Sequence, residues 1–511
     1  MKVTKILAAV LAIVMAIGCF AGCGSKSTKI SEDGVKEYSA YMFLEPTPYN
    51  PDMPIWKAAE EKTGIRLIST VPETAADPDS EFNTMLTSKD IPNVIRSMTQ
   101  NMRDLAVDGG LVPLDDLIEE HAPNLKAYFE KYPEAKTVGS LDDGHIYFIP
   151  QVYGGVDAEA VPSIGFMIRQ DWLDKLGLEM PTTVEEYHDV LVAFANEDPN
   201  GNGKKDEIPF FQRSKTIDSL VAMFETSSLF TFDDKGKLHL GGVTENYRKA
   251  MEEISKWYRE GLIDKEIYTR TNAREQLLGQ NLAGSTCDWF SSTTKFNDTF
   301  AESVPGINLV GMLPPKNSKG EVTWDRSRNM VGIQGWGLSV NNTEEELVDL
   351  IKYFDFWVTQ EGMDLYNYGI EGKSYERDED GNVVWLEEAL KFESGIPNYL
   401  RSIGNGEIGT VLDVNSERSA MNEAGQAAFD MYLPVVTPCV PTITFNSEEQ
   451  KIIDKHYANI KTAIDEQQQK WIMGSEPVND ATWNKYIKTL EGMNYKEVEK
   501  IYQAAYKRLY K

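Results

Sequence analysis

Apolar positions fall into two kinds of run along this 511-residue chain. The first is one unbroken stretch, residues 6–17, preceded by Lys2 and Lys5. It is too short to span a bilayer and has the build of an export-signal core. Beyond it, short strand-type runs alternate with helical stripes. Residues 38–43 read as a strand, 54–62 as an amphipathic helix stopped at Gly64, 65–68 as a second strand, 80–88 as a helix and 91–95 as a third strand. This βαβα rhythm predicts a mostly parallel sheet with helices on both faces. A hairpin is expected over 141–150, turning at Asp143-Gly144, and a second lobe is expected to begin near Gly154-Gly155. Then come a strand from Phe166, a helix over 171–176 capped by Gly177, and a helix to Asn196 that opens on a capping box, Thr183 with Glu186. Further helices are expected at 245–260, 343–359, 361–366 and in a terminal set over 447–510. Hairpins are expected at Lys235-Gly236, Lys319-Gly320 and Asp380-Gly381. A chain this long builds two or more lobes, each around its own core.

The small residues Ala21 and Gly22 lead into Cys23. The stretch 20–23 resembles the bacterial lipobox, with Phe20 where Leu is usual, which implies that Cys23 carries a diacylglyceryl group and starts the mature protein. Residues 24–29 are small and polar, as a flexible tether should be. The formal charge is −29, and loss of Lys2 and Lys5 with the signal makes it −31. Such a chain is repelled by nucleic acid and by anionic membrane surfaces, and it suits a neutral or cationic ligand. Cys19 leaves with the signal, so Cys287 and Cys439 either pair or stay as separate buried thiols; their spacing does not decide it. The five histidines are scattered and form no zinc-type cluster.

The strongest local chemistry is the loop 198–207. Oxygen-bearing side chains alternate through Asp198, Asn200 and Asn202, Gly203 permits the sharp turn, and Asp206 follows. This repeats the first nine positions of an EF-hand loop, whose spacing wraps oxygens round Ca²⁺. Pro209 stands where the bidentate glutamate belongs, leaving Glu207 to close the shell; a solvated turn uses the same residue types. Nucleophile-elbow and zinc-protease motifs are missing. Gly372-Lys373-Ser374 follows a helix instead of a strand, and the glycines at 404–409 lack a βαβ setting, so both are chance matches to phosphate and dinucleotide patterns. Trp289 is expected at a strand end, and Trp336 is flanked by Gly335 and Gly337; either ring is suited to stacking on a sugar face or to core packing.

Five segments taken in order, namely the lipobox, 168–178 with Pro181-Thr182-Thr183, 198–207, 368–372 and 471–474, resemble the sugar-type extracellular solute-binding lipoproteins that feed ABC importers, the group related to maltose-binding and alginate-binding proteins. The resemblance runs through the mature chain and implies an α/β, two-lobed, periplasmic-binding-protein-like fold of the class II type, with a multi-strand hinge and a ligand cleft between the lobes. Residues 1–22 would be the signal, 23–35 the tether, 36–152 with about 336–400 the first lobe, and 153–335 with about 401–511 the second. It implies a structural Ca²⁺ held by Asp198, Asn200, Asn202, the Lys204 carbonyl, Asp206 and Glu207. By order, Glu45, Tyr49, Asn50, Gln100, Asn101, Gln151, Tyr153, Trp289 and Trp336 would line the cleft, and Arg328 is a further candidate, a local cation able to override the preference for an uncharged sugar. The expected protein is a monomer, lipid-anchored at the extracellular membrane face, that binds an oligosaccharide without chemistry and hands it to permease subunits. A lipid-anchored carbohydrate-active enzyme and a binding subunit feeding a sensor are the alternatives.

Overall fold

Buried apolar side chains sort into two separate clusters. One runs from Tyr38 to Val152 and resumes from Val331 to Val411; the other runs from Val161 to Trp324 and resumes from Val414 to Val498. The chain therefore crosses between two lobes three times. The computed structural model describes residues 29–511 apart from 33, 45–47, 76, 157, 159, 327, 393–394 and 407–409. Cys19, Cys23 and Glu45 lie outside the described residues. No helix among the described residues is long and apolar enough to cross a membrane.

In lobe 1, β1 (Lys29–Ile30), β2 (Lys36–Met42), β3 (Ile65–Ser69), β4 (Val94–Met98) and β5 (Phe148–Gly154) form one sheet. In lobe 2, β6 (Ile164–Arg169), β7 (Ile208–Phe211), β8 (Ala283–Trp289) and β9 (Leu309–Met312) form another. The chain then returns to lobe 1 as β10 (Val331–Leu338) and, after a helical excursion, β11 (Val411–Asp413). β3 and β4 flank β2 in parallel, β10 lies antiparallel between β4 and β5, and β11 pairs parallel with β5. The lobe 2 order is β9-β6-β8-β7, with only β7 and β8 parallel.

Local chemistry explains most element ends. The helix Glu245–Glu260 buries Tyr247, Ala250, Met251, Ile254, Trp257 and Tyr258, a stripe at helical spacing. Its start is capped by Thr244, which accepts from the Tyr247 N–H at 3.2 Å, and Gly261 ends it at φ 84°. Both glutamates three residues past a threonine cap, Glu186 and Glu346, complete capping boxes. The third strand starts at Val94, later than expected, because Pro92 has no N–H for a ladder and the Asn93 side chain accepts from Ser39. The expected hairpin at 141–150 reduces to one bridge, Ser140 with Ile146, since the arm after it pairs with the distant β10. The turn at Gly320 joins no strands.

Trp336 is a core residue of lobe 1 and does not line the cleft. It lies in the middle of β10 at 2% exposure, with its ring 5.3 Å from Phe354 on the helix Glu344–Trp357. Its glycine neighbours make room for packing instead of for a ligand: a Cβ on Gly335 would meet Phe148 at 2.8 Å, and one on Gly337 would meet Met102 at 2.7 Å. Tyr49 is likewise core, its hydroxyl donating to the Leu67 carbonyl at 2.8 Å and its ring edge-on to Trp56. Val331, Ile403 and Val411 pack in the lobe 1 core. Trp336→Ala is expected to cost about 3–5 kcal/mol of lobe 1 stability, as truncating a large buried ring does. Denaturant unfolding followed in lobe 1 checks this; unchanged unfolding together with lost ligand binding would return Trp336 to the cleft.

Candidate functional site

In α/β sheets, ligands sit in the crevice beyond the carboxyl ends of the strands. Here the registers Met42 to Arg96, Met98 to Gln334 and Val152 to Val331 put the ends of β2, β4 and β5 and the start of β10 on one edge of lobe 1. In lobe 2, the pairs Trp289 to Ile164 and Thr286 to Phe211 put the ends of β7 and β8 beside the start of β6. A cavity of about 1260 Å³ opens at this lobe 2 edge. Its wall comes from residues between Ser163 and Arg328 and from 437–440, so it belongs to lobe 2 and the crossovers, not to both lobes equally.

Of the expected ligand residues, Trp289 and Arg328 lie on this wall. Tyr153 does not, but its ring lies under the Arg328 guanidinium at 4.4 Å. Trp289 is half-buried, with the same guanidinium 5.5 Å from its ring. Arg328 pairs with Glu417 of the helix Val414–Ser419. Burial works to lower the Arg328 pKa, yet Glu417 and Tyr153 more than offset this and hold it raised, so its charge is permanent and locally compensated. Gln151 is buried in β5, where a Cβ on Gly332 would touch its carbonyl. Gln100 donates to Asp104 at 2.9 Å along its own helix, and Asn101 donates to Ser97 at 3.0 Å. Asn50 turns the backbone locally, accepting from the Asp52 N–H.

The wall also contains residues that the sequence reading missed. Ser163 is 3% exposed, and its Oγ has no hydrogen-bond partner. Gln212 follows β7 directly and accepts from the Ser219 hydroxyl at 3.2 Å. Asp325 is open to the cavity yet crowded by protein, which raises its carboxyl pKa against the pull of Arg326. Carboxylates on the wall, among them Asp218, Glu225, Asp233, Glu245 and Asp325, outnumber the cations Lys319, Arg326 and Arg328. A strand-end rule applied to β7 would have found Gln212; nothing in the local pattern marks Ser163 or Asp325. On the facing edge of lobe 1, Met98 and Ile333 are exposed, and Arg96 donates to the Gln334 side chain. Cys287 and Cys439 both line the cavity and no disulfide joins them; burial raises both thiols, Cys439 to about 11.

The 198–207 loop closes on itself. Asp198 accepts from the N–H groups of Asn202 and Gly203 at 3.0 Å, and Asn202 accepts from the Lys204 N–H at 2.7 Å. The Asn200 and Asn202 amides both donate to Asp206. Glu207 Oε1 is buried without a partner, and burial first, then Asp198 and Asp206, raises its pKa. Among the described residues no group of three or more His, Cys, Asp or Glu is arranged to hold a metal; this loop mixes carboxylates with amides and a carbonyl. A buried carboxylate oxygen without a partner, Glu207 Oε1, is an acceptor that a hard cation would satisfy.

No protein-family model matches the chain. The crystal structure of alginate-binding protein AlgQ2 without calcium ion superposes with a TM-score of 0.79 at 33% identity, covering 94% of this chain and 99% of that one. The chain belongs to the sugar-type solute-binding proteins of ABC importers. This solute-binding protein is also 33% identical over 282 residues to the fructooligosaccharide ABC transporter substrate-binding protein FusA of Streptococcus pneumoniae, a match covering 50% of this chain and 52% of that relative's length. It is 27% identical over 418 residues to lipoprotein LipO of Bacillus subtilis, covering 78% of this chain and 80% of LipO. A FusA EF-hand mutant in complex with fructo-nystose superposes with a TM-score of 0.73 at 24% identity, covering 92% of this chain and 98% of that one. Those neighbours share the two-lobed fold.

Proposed function

We propose that this protein captures an uncharged oligosaccharide in the lobe 2 cavity, closes lobe 1 over it and delivers it unaltered to the permease subunits of an ABC importer. The observation that carries this is the cavity wall. Trp289 offers a flat apolar surface for the C–H face of a sugar ring, while Ser163, Gln212 and Asp325 offer hydrogen-bonding groups for its hydroxyls. The excess of carboxylates opposes a uronate chain, and Arg328, beside the Trp289 ring, is paired with Glu417. FusA, a relative at 33% identity, is named for fructooligosaccharides, which carry no charge. The exposed Met98 and Ile333 would meet the ligand's other face on closure. Calorimetric titration against neutral and acidic oligosaccharide panels is expected to show binding of neutral members alone. Trp289→Ala should then weaken that binding by about 2 kcal/mol or more; binding confined to uronates, or release of cleaved sugar, overturns the reading.

The loop 198–207 would hold one structural Ca²⁺ through Asp198, Asn200, Asn202, the Lys204 carbonyl, Asp206 and Glu207. Their oxygens would replace the internal hydrogen bonds to Asp206 and give Glu207 Oε1 a partner. The loop leads into β7, away from Trp289 in sequence, so the ion would stiffen the wall without touching ligand. Calcium is expected to raise the melting temperature, since it binds the folded chain alone, and to leave sugar affinity nearly unchanged. Asp198→Ala should abolish that rise in a calorimetric scan; a rise that survives would mean the ion binds elsewhere.

The mature chain would begin at a lipid-modified Cys23 and be held at the extracellular membrane face. Detergent-extracted protein is expected to show, by mass spectrometry, a diacylglyceryl cysteine as its first residue. An N-terminus downstream of Cys23 would show an unanchored protein.

A further inference from the structure

We propose that Arg328 is a positioning residue for capture: its guanidinium braces the three interlobe crossovers into one unit against the cavity wall, and so sets the angle between the lobes. Each crossover contributes to its surroundings. Tyr153 precedes Gly154 at the end of β5, on the first crossover, and its ring lies 4.4 Å from the guanidinium. Arg328 is itself on the second, and its backbone pairs antiparallel with Val161 on the way into lobe 2. Glu417, its ion-pair partner, stands directly after the third, in the helix Val414–Ser419. The fourth contact is Trp289 at the end of β8, with its ring 5.5 Å away. A separate contact ties the third crossover to the first, the Asn415 amide donating to the Gly155 carbonyl.

This geometry suits a brace better than a receptor for a ligand's carboxylate. The guanidinium is a planar fork that stacks on aromatic faces while pairing a carboxylate, a combination a lysine ammonium does not reproduce. With Glu417 bound and two rings alongside, its charge is compensated within the protein. A change of lobe angle turns the crossovers relative to one another. The ring contacts and the ion pair survive together only if the crossovers move as a unit, so the cluster favours one angle and resists others. Because Trp289 belongs both to this cluster and to the cavity wall, a sugar stacked on its ring presses on the brace directly.

The proposal rests on the two-lobed capture reading but not on which sugar is captured, and its test needs none. Nitroxides are placed on the exposed Lys352 of lobe 1 and Lys249 of lobe 2, through unnatural amino acids that leave the native thiols alone. Interlobe distances are then measured by electron–electron double resonance in the ligand-free full chain. Wild type is expected to give one narrow distribution. Glu417→Gln and Arg328→Met should each widen it and move its mean by several ångströms. The double variant should go no further than the larger single change, because both substitutions remove one shared contact. Arg328→Lys, which keeps the charge and loses the fork, should fall between. Distributions identical to wild type in Glu417→Gln and Arg328→Met, or a double variant whose shift is the sum of the two, overturn the brace. Should Arg328→Met not fold, the isosteric Glu417→Gln decides alone. Altered distributions with no sugar bound from the panels would remove the ligand reading and keep this one; sugar binding with unaltered distributions would do the reverse.

Discussion

The rest of the structure depends on backbone pairing among β5, β10 and β11. The two apolar clusters do not merge across the crossovers, so no shared core fixes one lobe against the other. What joins them is main chain that leaves a lobe 1 strand and enters lobe 2 within a few residues. Val152 pairs with both Val331 and Val411, which brings all three crossovers to one place. Side chains then fasten that place. The Asn367 amide donates to the Val411 carbonyl at 3.0 Å and its oxygen accepts from the Asp413 N–H at 2.8 Å, while the Tyr368 hydroxyl donates to the Asp413 carboxylate at 2.5 Å. Each is a buried or half-buried polar contact that would be costly to leave unmade.

Local features of the fold were legible because their causes are local. A threonine with a glutamate three residues on, a glycine at positive φ, or a stripe at helical spacing needs no distant partner, and the helix Glu245–Glu260 can be read directly from its residues. The two-lobed architecture was legible through the family resemblance of several short segments taken together. Long-range pairing was not legible. Nothing near residues 146–150 says that they will bond to a strand beginning at Val331, and so a hairpin was expected there. Trp289 and Trp336 present the same difficulty. Both follow small residues, and both suit a sugar platform, yet one ends its strand at the crevice and the other sits mid-strand under a helix. Position along a strand separates them, and it depends on pairing.

Charge on the whole chain and charge at the cavity agree in sign, but for different reasons. The net −29 is spread over a large surface and bears on solubility and long-range steering. The wall is a short-range matter, where Asp325 lies crowded by protein and Arg328 pairs with Glu417. Considered alone in the sequence, Arg328 invites an anionic ligand. Its partner, 89 residues away, offsets that charge, although the buried Arg328 Nε has no hydrogen-bond partner.

The 198–207 loop gains its importance from where it leads. It runs directly into Ile208, the first residue of β7, which pairs in parallel with Ala283, the first residue of β8. These two strands carry Gln212 and Trp289 to the cavity at their far ends. A strand of four residues has little pairing with which to hold its own register, and a one-residue slip would turn every side chain to the opposite face. The loop restrains that slip from one end through the turns at Gly201 and Gly203 and the bonds to Asp198 and Asp206. The Ile208 N–H bond to the Leu282 carbonyl at 2.7 Å and the Phe210 N–H bond to the Leu262 carbonyl at 2.9 Å restrain it along its length. Order in a polar loop before the strand is thereby converted into a fixed position for a polar group at the cavity wall.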